Sequence, residues 1–200
     1  TIKNGSYSLM LSSLKLLNFM VHDLLDFGLF NNENSKFKLT EDYISLNHLV
    51  KELRELFINQ LKGKNIRLDF IVEVKKKISF LVDSNRLKQI LINLISNSLK
   101  FTKVGYIQVR ISEEFLSLRN YLSFAVVDTG IGIKPDGLKK IFKLFGKIEQ
   151  DDSSINRHGI GLGLYISQYL ATKLFKNESS IPNENAGIKV IFQEYEHPVY

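Results

Sequence analysis

The 200 residues are 44% hydrophobic and 24% charged, enough apolar content for a folded core and too much for a disordered chain. The absence of cysteine excludes a disulfide framework and thiolate metal sites, and His22, His48, His158 and His197 lack the spacing of a metal site. The net charge of +6 comes from scattered lysines without dense runs or interleaved aromatics, which points to general attraction for anions and away from a nucleic-acid surface.

No apolar run approaches the roughly 20 residues of a membrane span, and no signal-peptide pattern opens the chain. The chain begins at Thr1 and not at Met, so it reads as a piece of a longer protein. Residues 7–30 are helical by pattern. Met10, Leu14, Leu17, Val21 and Leu24 alternate steps of four and three, the seam of a helix that pairs with another helix. Leu11, Leu16, Met20, Leu25 and Phe27 widen the stripe toward a bundle helix. Gly28 marks its end, and Asn31-Asn32-Glu33-Asn34-Ser35 is the clearest linker. The chain divides accordingly into a bundle or coiled-coil helix (1–30), a linker (31–44) with a short extended segment, and a larger domain (45–200).

In that domain Leu46, Leu49, Val50, Leu53, Leu56, Phe57 and Leu61 recur with helical period. Ser45 or Asn47 is the expected cap, and Gly63 the expected stop. Residues 66–72 alternate as a strand and 78–82 form a second. Residues 85–101 are predicted helical. Residues 106–111 and 121–127 make a hairpin turning around 113–120. Leu138, Ile141, Phe142 and Phe145 predict a short helix within a long connection. Residues 160–174 are the last helix and 188–192 the last strand. Strands and helices without strict alternation predict an α+β fold, a two-layer sandwich with a mixed sheet under one helical layer.

Two glycine clusters bracket the long connection. An apolar run ends on the lone carboxylate Asp128, followed by Gly130 and Gly132; an acid followed by two glycines suits close backbone approach to a ligand. Gly159, Gly161 and Gly163 open the last helix, where free N–H groups and the helix dipole favour phosphate. Either cluster alone is commonly just a turn. A third element stands upstream, on the helix of residues 85–101. Its apolar face is Leu87, Ile90, Leu91, Leu94, Ile95 and Leu99. Arg86, Gln89, Asn93, Asn97 and Lys100 mark the other, with Asn93, Asn97 and Lys100 stacked at i, i+4 and i+7. Asparagine is a mediocre helix former, but its carboxamide oxygen is a hard neutral ligand suited to Mg²⁺. Lys100 suits phosphate as a point charge, and Phe101 can cover a flat base.

N-L-I-S-N-S-L-K-F-T (93–102), V-V-D-T-G-I-G-I (126–133), I-F-K-L-F (141–145) and H-G-I-G-L-G-L (158–164) stand in that order. Together they resemble the four boxes of the catalytic and ATP-binding domain of two-component sensor histidine kinases. The resemblance covers residues 36–195, and the first helix, ending L-L-D-F (24–27), is similar to the second helix of that family's dimerisation and phosphotransfer hairpin. It implies a Bergerat-type ATP-binding sandwich with a lid over ATP. Asn97 would ligate Mg²⁺, and Asn93 would support metal and phosphates. Lys100 would touch phosphate, Phe101 would lie near the adenine, and Asp128 would accept from the adenine amino group. Gly130 and Gly132 would let backbone pass close to the base. Residues 134–158 would be the lid, anchored by Phe142 and Phe145, with Arg157 as a phosphate contact or a solvated loop charge. Gly159, Gly161 and Gly163 would hinge it. Two features depart from the family: residues 173–187 lack the usual glycine punctuation, and His158 stands where a small residue is common.

The ATP-hydrolysing relatives of this fold carry Glu at the position of Asn93 to activate water. An amide lacks that basicity, which favours phosphoryl transfer by positioning and charge stabilisation. A GHKL-type ATPase and a non-catalytic nucleotide-binding scaffold are the alternatives. His22 is followed by Asp23 and mimics the family's phosphoacceptor, but the stretch from His22 to Asn93 has no room for a second bundle helix. The acceptor is therefore expected upstream of Thr1, and the fragment is not expected to autophosphorylate. The resemblance further implies a response-regulator receiver as partner, a homodimer in the full-length parent, and a cytoplasmic location, with any membrane attachment through missing parts.

Overall fold

The computed structural model describes residues 10, 11, 13, 14, 16–19, 21, 22, 24–26, 28, 38–74, 79–116, 119–133, 137, 140–143, 161–176 and 186–190. The described residues between 10 and 28 are helical. β1 (Asp42–Ser45) then leads directly into helix α1 (Leu46–Phe57). Leu46, Leu49, Leu53, Leu56 and Phe57 face inward and are buried, the spacing expected of one helical face. Ser45 occupies the N-cap position without a side-chain hydrogen bond. α1 stops at Phe57, four residues short of the predicted Leu61. Gln60 and Leu61 instead donate to the Phe57 carbonyl, and Gly63 turns the chain at φ +78°, a conformation glycine adopts without strain.

β2 (Asn65–Glu73) and β3 (Ser79–Val82) precede the long helix α2 (Ser84–Phe101). Asp83 caps α2, accepting from the N–H groups of Asn85 and Arg86 at 3.1 Å each. Its other oxygen accepts from Thr40 N–H at 2.9 Å, which ties the chain before β1 to the start of α2. β1 itself pairs antiparallel with β3.

β4 (Val104–Leu116) and β5 (Arg119–Asp128) form the hairpin. Its ladder runs out to Leu116 opposite Arg119, so most of the stretch expected as a turn, 113–120, is strand. α3 (Gly163–Lys176) and β6 (Ala186–Val190) complete the chain; α3 starts three residues later than predicted. The main sheet has the order β2-β4-β5-β6, with β2 parallel to β4, β4 antiparallel to β5 and β5 parallel to β6. This is the mixed sheet expected from the sequence.

On β4, Ile107, Val109 and Ile111 alternate inward and are fully buried, as the period of two requires. They meet Leu87, Leu91, Ile95 and Leu99 of α2 and Leu49, Leu53 and Phe57 of α1 in one cluster. Each such side chain contributes roughly 1.5–3 kcal/mol by leaving water. The other sheet face carries Arg67 over the Tyr106 ring at 6.0 Å and exposed Arg110, which makes the architecture two-layered. A second cluster, Ile90 with Leu162, Ile166 and Leu170, fastens α3 to α2.

The N-terminal helix has two characters. Leu16 and Phe19 pack against the main core, whereas Met10, Leu14, Leu17, Val21 and Leu24 are exposed. Asp26 is buried against α2, where it pairs with Arg86 and accepts from Gln89 Nε2 at 2.9 Å. Gln89, which the sequence places on the face opposite the apolar one, is therefore buried, and Leu94 of the expected apolar face is half-buried. No helix among the described residues is long and apolar enough to cross a membrane.

Candidate functional site

The C-terminal half of α2 and the end of β5 converge. Asp128 is the last residue of β5, in register with Ile107. Its Oδ2 accepts from Ser98 Oγ at 2.7 Å and its Oδ1 from Gly130 N–H at 2.8 Å. Two donors on two oxygens fix the plane of the carboxylate.

Gly130 is required by close approach. A Cβ there would lie 2.7 Å from Asp128 Oδ1, 2.8 Å from the Phe101 carbonyl and 3.0 Å from Thr102 Oγ1. Ile131 N–H then donates to the Phe101 carbonyl at 3.3 Å, stitching the glycine turn to the end of α2. Gly132 follows at φ +68°. Phe101, Lys103, Val104, Thr129, Gly130 and Ile131 line a cavity of about 270 Å³ beside this turn.

On α2, Asn93, Asn97, Lys100 and Phe101 are half-buried. Asn93 Nδ2 donates to Ser167 Oγ on α3 at 2.7 Å, and Asn97 Nδ2 donates to Asn93 Oδ1 at 3.4 Å. Lys100 Nζ sits 4.9 Å from the centre of the Phe101 ring, within cation–π range. Gly163, expected as a lid hinge, lies against Asn93: a Cβ there would be 2.2 Å from Asn93 Oδ1. Gly161 has φ +79°, beside buried Leu162. Phe142 is half-buried next to buried Ile141. Phe145, Arg157 and Gly159 lie outside the described residues. His22 is exposed.

Several contributors were not singled out by motif spacing. Ser98 holds Asp128, and Ser167 holds Asn93. Thr129 Oγ1 accepts from Tyr106 N–H at 3.0 Å and lies where a Cβ on Gly105 would come within 2.1 Å of it. Gly105 itself has φ +119°. Thr102 Oγ1 is buried without a hydrogen-bond partner among the described residues, an orphan of the kind that marks a water or ligand position. Ser98 and Thr102 stand inside the quoted first motif. Ser167 gave a weaker signal, a small polar residue one turn after Gly163.

A mixed sheet under a helical layer, with an oriented acid and glycine turn at one strand end and carboxamides on the facing helix, defines the class of α+β ATP-binding sandwich domains. Residues 82–195 match the family described as histidine kinase-, DNA gyrase B- and HSP90-like ATPases. The chain belongs to that family, as a catalytic ATPase domain of the sensor histidine kinase type. It is 35% identical over 179 residues to hybrid signal transduction histidine kinase K of Dictyostelium discoideum, an alignment that covers 82% of this chain and 14% of that protein. Among solved structures, full-length ShkA in complex with AMPPNP superposes with a TM-score of 0.61 at 29% identity, covering 80% of this chain and 31% of that one. The catalytic domain of the histidine kinase ThkA superposes with a TM-score of 0.53 at 26% identity, over 68% of this chain and 82% of that domain. The chain thus spans about a seventh of the curated relative it matches.

Proposed function

We propose that this chain is the ATP-binding catalytic core of a sensor histidine kinase. In this reading it transfers the γ-phosphoryl group of ATP to a histidine upstream of Thr1, which then serves a response-regulator receiver. The observation that carries the reading is Asp128, held by Ser98 and Gly130 as an oriented acceptor beside a cavity lined by Phe101. At the 6-position of the base a fixed carboxylate accepts from the adenine amino group and repels the guanine carbonyl, which favours adenine in that pose. The aromatic ring of Phe101 supplies a flat neighbour for the base, while Gly130 and Gly132 bring backbone close to it.

The donor set suits Mg²⁺. Asn97 spends its Nδ2 on Asn93, and its Oδ1 has no donor among the described residues. Magnesium keeps several waters and takes phosphate oxygens beside one or two protein ligands, so a single carboxamide oxygen suffices. When bound, the ion would neutralise charge developing on the transferred phosphoryl group. Asn93 supports Asn97, and Lys100 contributes a positive charge for phosphate. The lid would span residues 134–158, with Phe142 and Phe145 as anchors, Arg157 toward phosphate, and Gly159, Gly161 and Gly163 at its base. An amide at Asn93 cannot deprotonate water, which favours transfer to a protein acceptor over hydrolysis.

The exposed seam of Met10, Leu14, Leu17, Val21 and Leu24 supports helix pairing and a homodimer in the parent, placed in the cytoplasm. Titration of a fluorescent ATP analogue with and without Mg²⁺ tests the site. Asp128→Ala should abolish binding, and Asn97→Ala should remove the Mg²⁺ enhancement. Unchanged affinity in both variants would overturn the reading. Rapid phosphate release by the isolated chain would favour an ATPase instead.

A further inference from the structure

A carboxamide has two chemically opposite ends, and only its oxygen binds a hard cation. If Asn97 is to serve as a metal ligand, its oxygen must be held toward the phosphates. Asn97 Nδ2 points to Asn93 Oδ1 at 3.4 Å, which leaves the Asn97 oxygen for the ion. That arrangement requires Asn93 to present its own oxygen to Asn97. The Asn93 nitrogen must then face the other way, and there it finds Ser167 Oγ at 2.7 Å.

Ser167 is 2% exposed, so water does not readily replace it as an acceptor. Gly163 lies one turn earlier on the same face of α3, and a Cβ there would meet Asn93 Oδ1 at 2.2 Å. Together Gly163 and Ser167 form a slot on α3 that holds one carboxamide in place. Reversing the Asn93 amide alone would set its NH₂ against the NH₂ of Asn97, two donors with no acceptor between them, so the two amides keep a common sense.

We propose that Ser167 is a positioning residue for the metal ligand: through its bond to Asn93 it holds the Asn93–Asn97 carboxamide pair in the place from which the Asn97 oxygen meets Mg²⁺. The inference rests on the reading of Asn97 as the Mg²⁺ ligand. Groups that orient a metal ligand without touching the metal commonly change metal affinity by 10- to 100-fold when removed.

The test uses this chain and a fluorescent ATP analogue, titrated with Mg²⁺ from a chelator-stripped start. Ser167→Ala and the near-isosteric Ser167→Cys, whose sulfur is a weak acceptor, should leave metal-free nucleotide affinity within about twofold and raise the half-saturating Mg²⁺ concentration about tenfold or more. Ser167→Thr retains the acceptor and should restore the half-saturation to within about twofold of the wild type. Gly163→Ala displaces the same carboxamide from the other side and should shift Mg²⁺ dependence in the same direction. Circular dichroism establishes which variants are folded, and Ser167→Cys reads out the effect if Ser167→Ala does not fold. An unchanged Mg²⁺ half-saturation in folded Ser167→Cys overturns the proposal, as does an equal loss of affinity with and without metal. Asn97→Ala separates the two levels. Loss of the Mg²⁺ response there with none in Ser167→Cys overturns the positioning role alone; survival of the response in Asn97→Ala overturns the metal reading and the proposal with it.

Discussion

Asp26 of the N-terminal helix and Arg86 of α2 form an ion pair across sixty positions of sequence, with the Asp26 side chain 3% and the Arg86 side chain 20% exposed. Gln89 completes the contact by donating to the same Asp26 oxygen at 2.9 Å and accepting from Arg86 at 2.9 Å. The helix that carries Asn93 and Asn97 thus begins with two residues that grip a different helix. The orientation of the N-terminal helix and the placement of the candidate site share one rigid element.

A buried pair is costly to break from one side, because the remaining charge is stranded; the loss is about 3–5 kcal/mol. Asp26→Asn or Arg86→Met should therefore release the N-terminal helix. The main core of α1, α2 and the sheet does not include Asp26 and should survive. Hydrogen exchange checks this: amides of residues 10–28 should lose protection while those of α2 and β4 keep theirs. Equal loss throughout would mean that the pair supports the whole domain, and no loss would mean that Leu16 and Phe19 suffice to hold the helix.

Ser98 provides the second test. Its hydroxyl is the donor to Asp128 Oδ2 at 2.7 Å, and hydrogen bonds to charged groups contribute about 1.5–3 kcal/mol. Ser98→Ala frees the carboxylate to rotate about Gly130 N–H. Adenine nucleotide binding should weaken about tenfold, and the preference for ADP over GDP should narrow, since one fixed acceptor reads the base edge. Competition titrations with both nucleotides measure it. An unchanged preference would remove Ser98 from base recognition.

Much of this was legible in the sequence, for reasons that differ by element. The period of α2 and the alternation of β4 and β5 were readable because burial on one face imposes them. The glycines of the motifs were readable because a backbone that approaches other groups closely needs glycine: a Cβ on Gly130 would come within 3.0 Å of Asp128, Phe101 and Thr102. The Gln89 burial was not readable, since its partner Asp26 lies 63 residues away and only the fold unites them. Ser167 escaped for the same reason. The end of α1 escaped because Ile58 and Leu61 continue the apolar period, and Leu61 N–H still donates to the Phe57 carbonyl in a last turn beyond the regular helix.

Gly105 gives a stability prediction. It adopts φ +119°, and a Cβ would fall 2.1 Å from Thr129 Oγ1, the oxygen that accepts from Tyr106 N–H. Gly105→Ala combines a disfavoured backbone conformation with displacement of Thr129, so it should cost about 3 kcal/mol or more. Gly63→Ala is the control: its φ is +78° but nothing lies within 4 Å of the added carbon, so only the backbone term of about 1–2 kcal/mol applies. Urea denaturation of the two variants should separate the conformational from the steric part. Equal losses would indicate that Thr129 yields without consequence.

Thr102 sets stability against binding. Its Oγ1 is buried beside Gly130 with no hydrogen-bond partner among the described residues, and an unmade bond of this kind costs about 1–3 kcal/mol. Thr102→Val keeps the shape and removes the hydroxyl, so the nucleotide-free chain should gain about 1 kcal/mol, seen as a higher urea midpoint. If the hydroxyl is retained because it meets the nucleotide, directly or through a water shared with Asp128, the same variant should bind the ATP analogue several-fold more weakly. A gain in stability with unchanged affinity would mark the hydroxyl as a packing accident. A loss of stability would show that the oxygen already has a partner in solution, a buried water bridging it to the glycine turn.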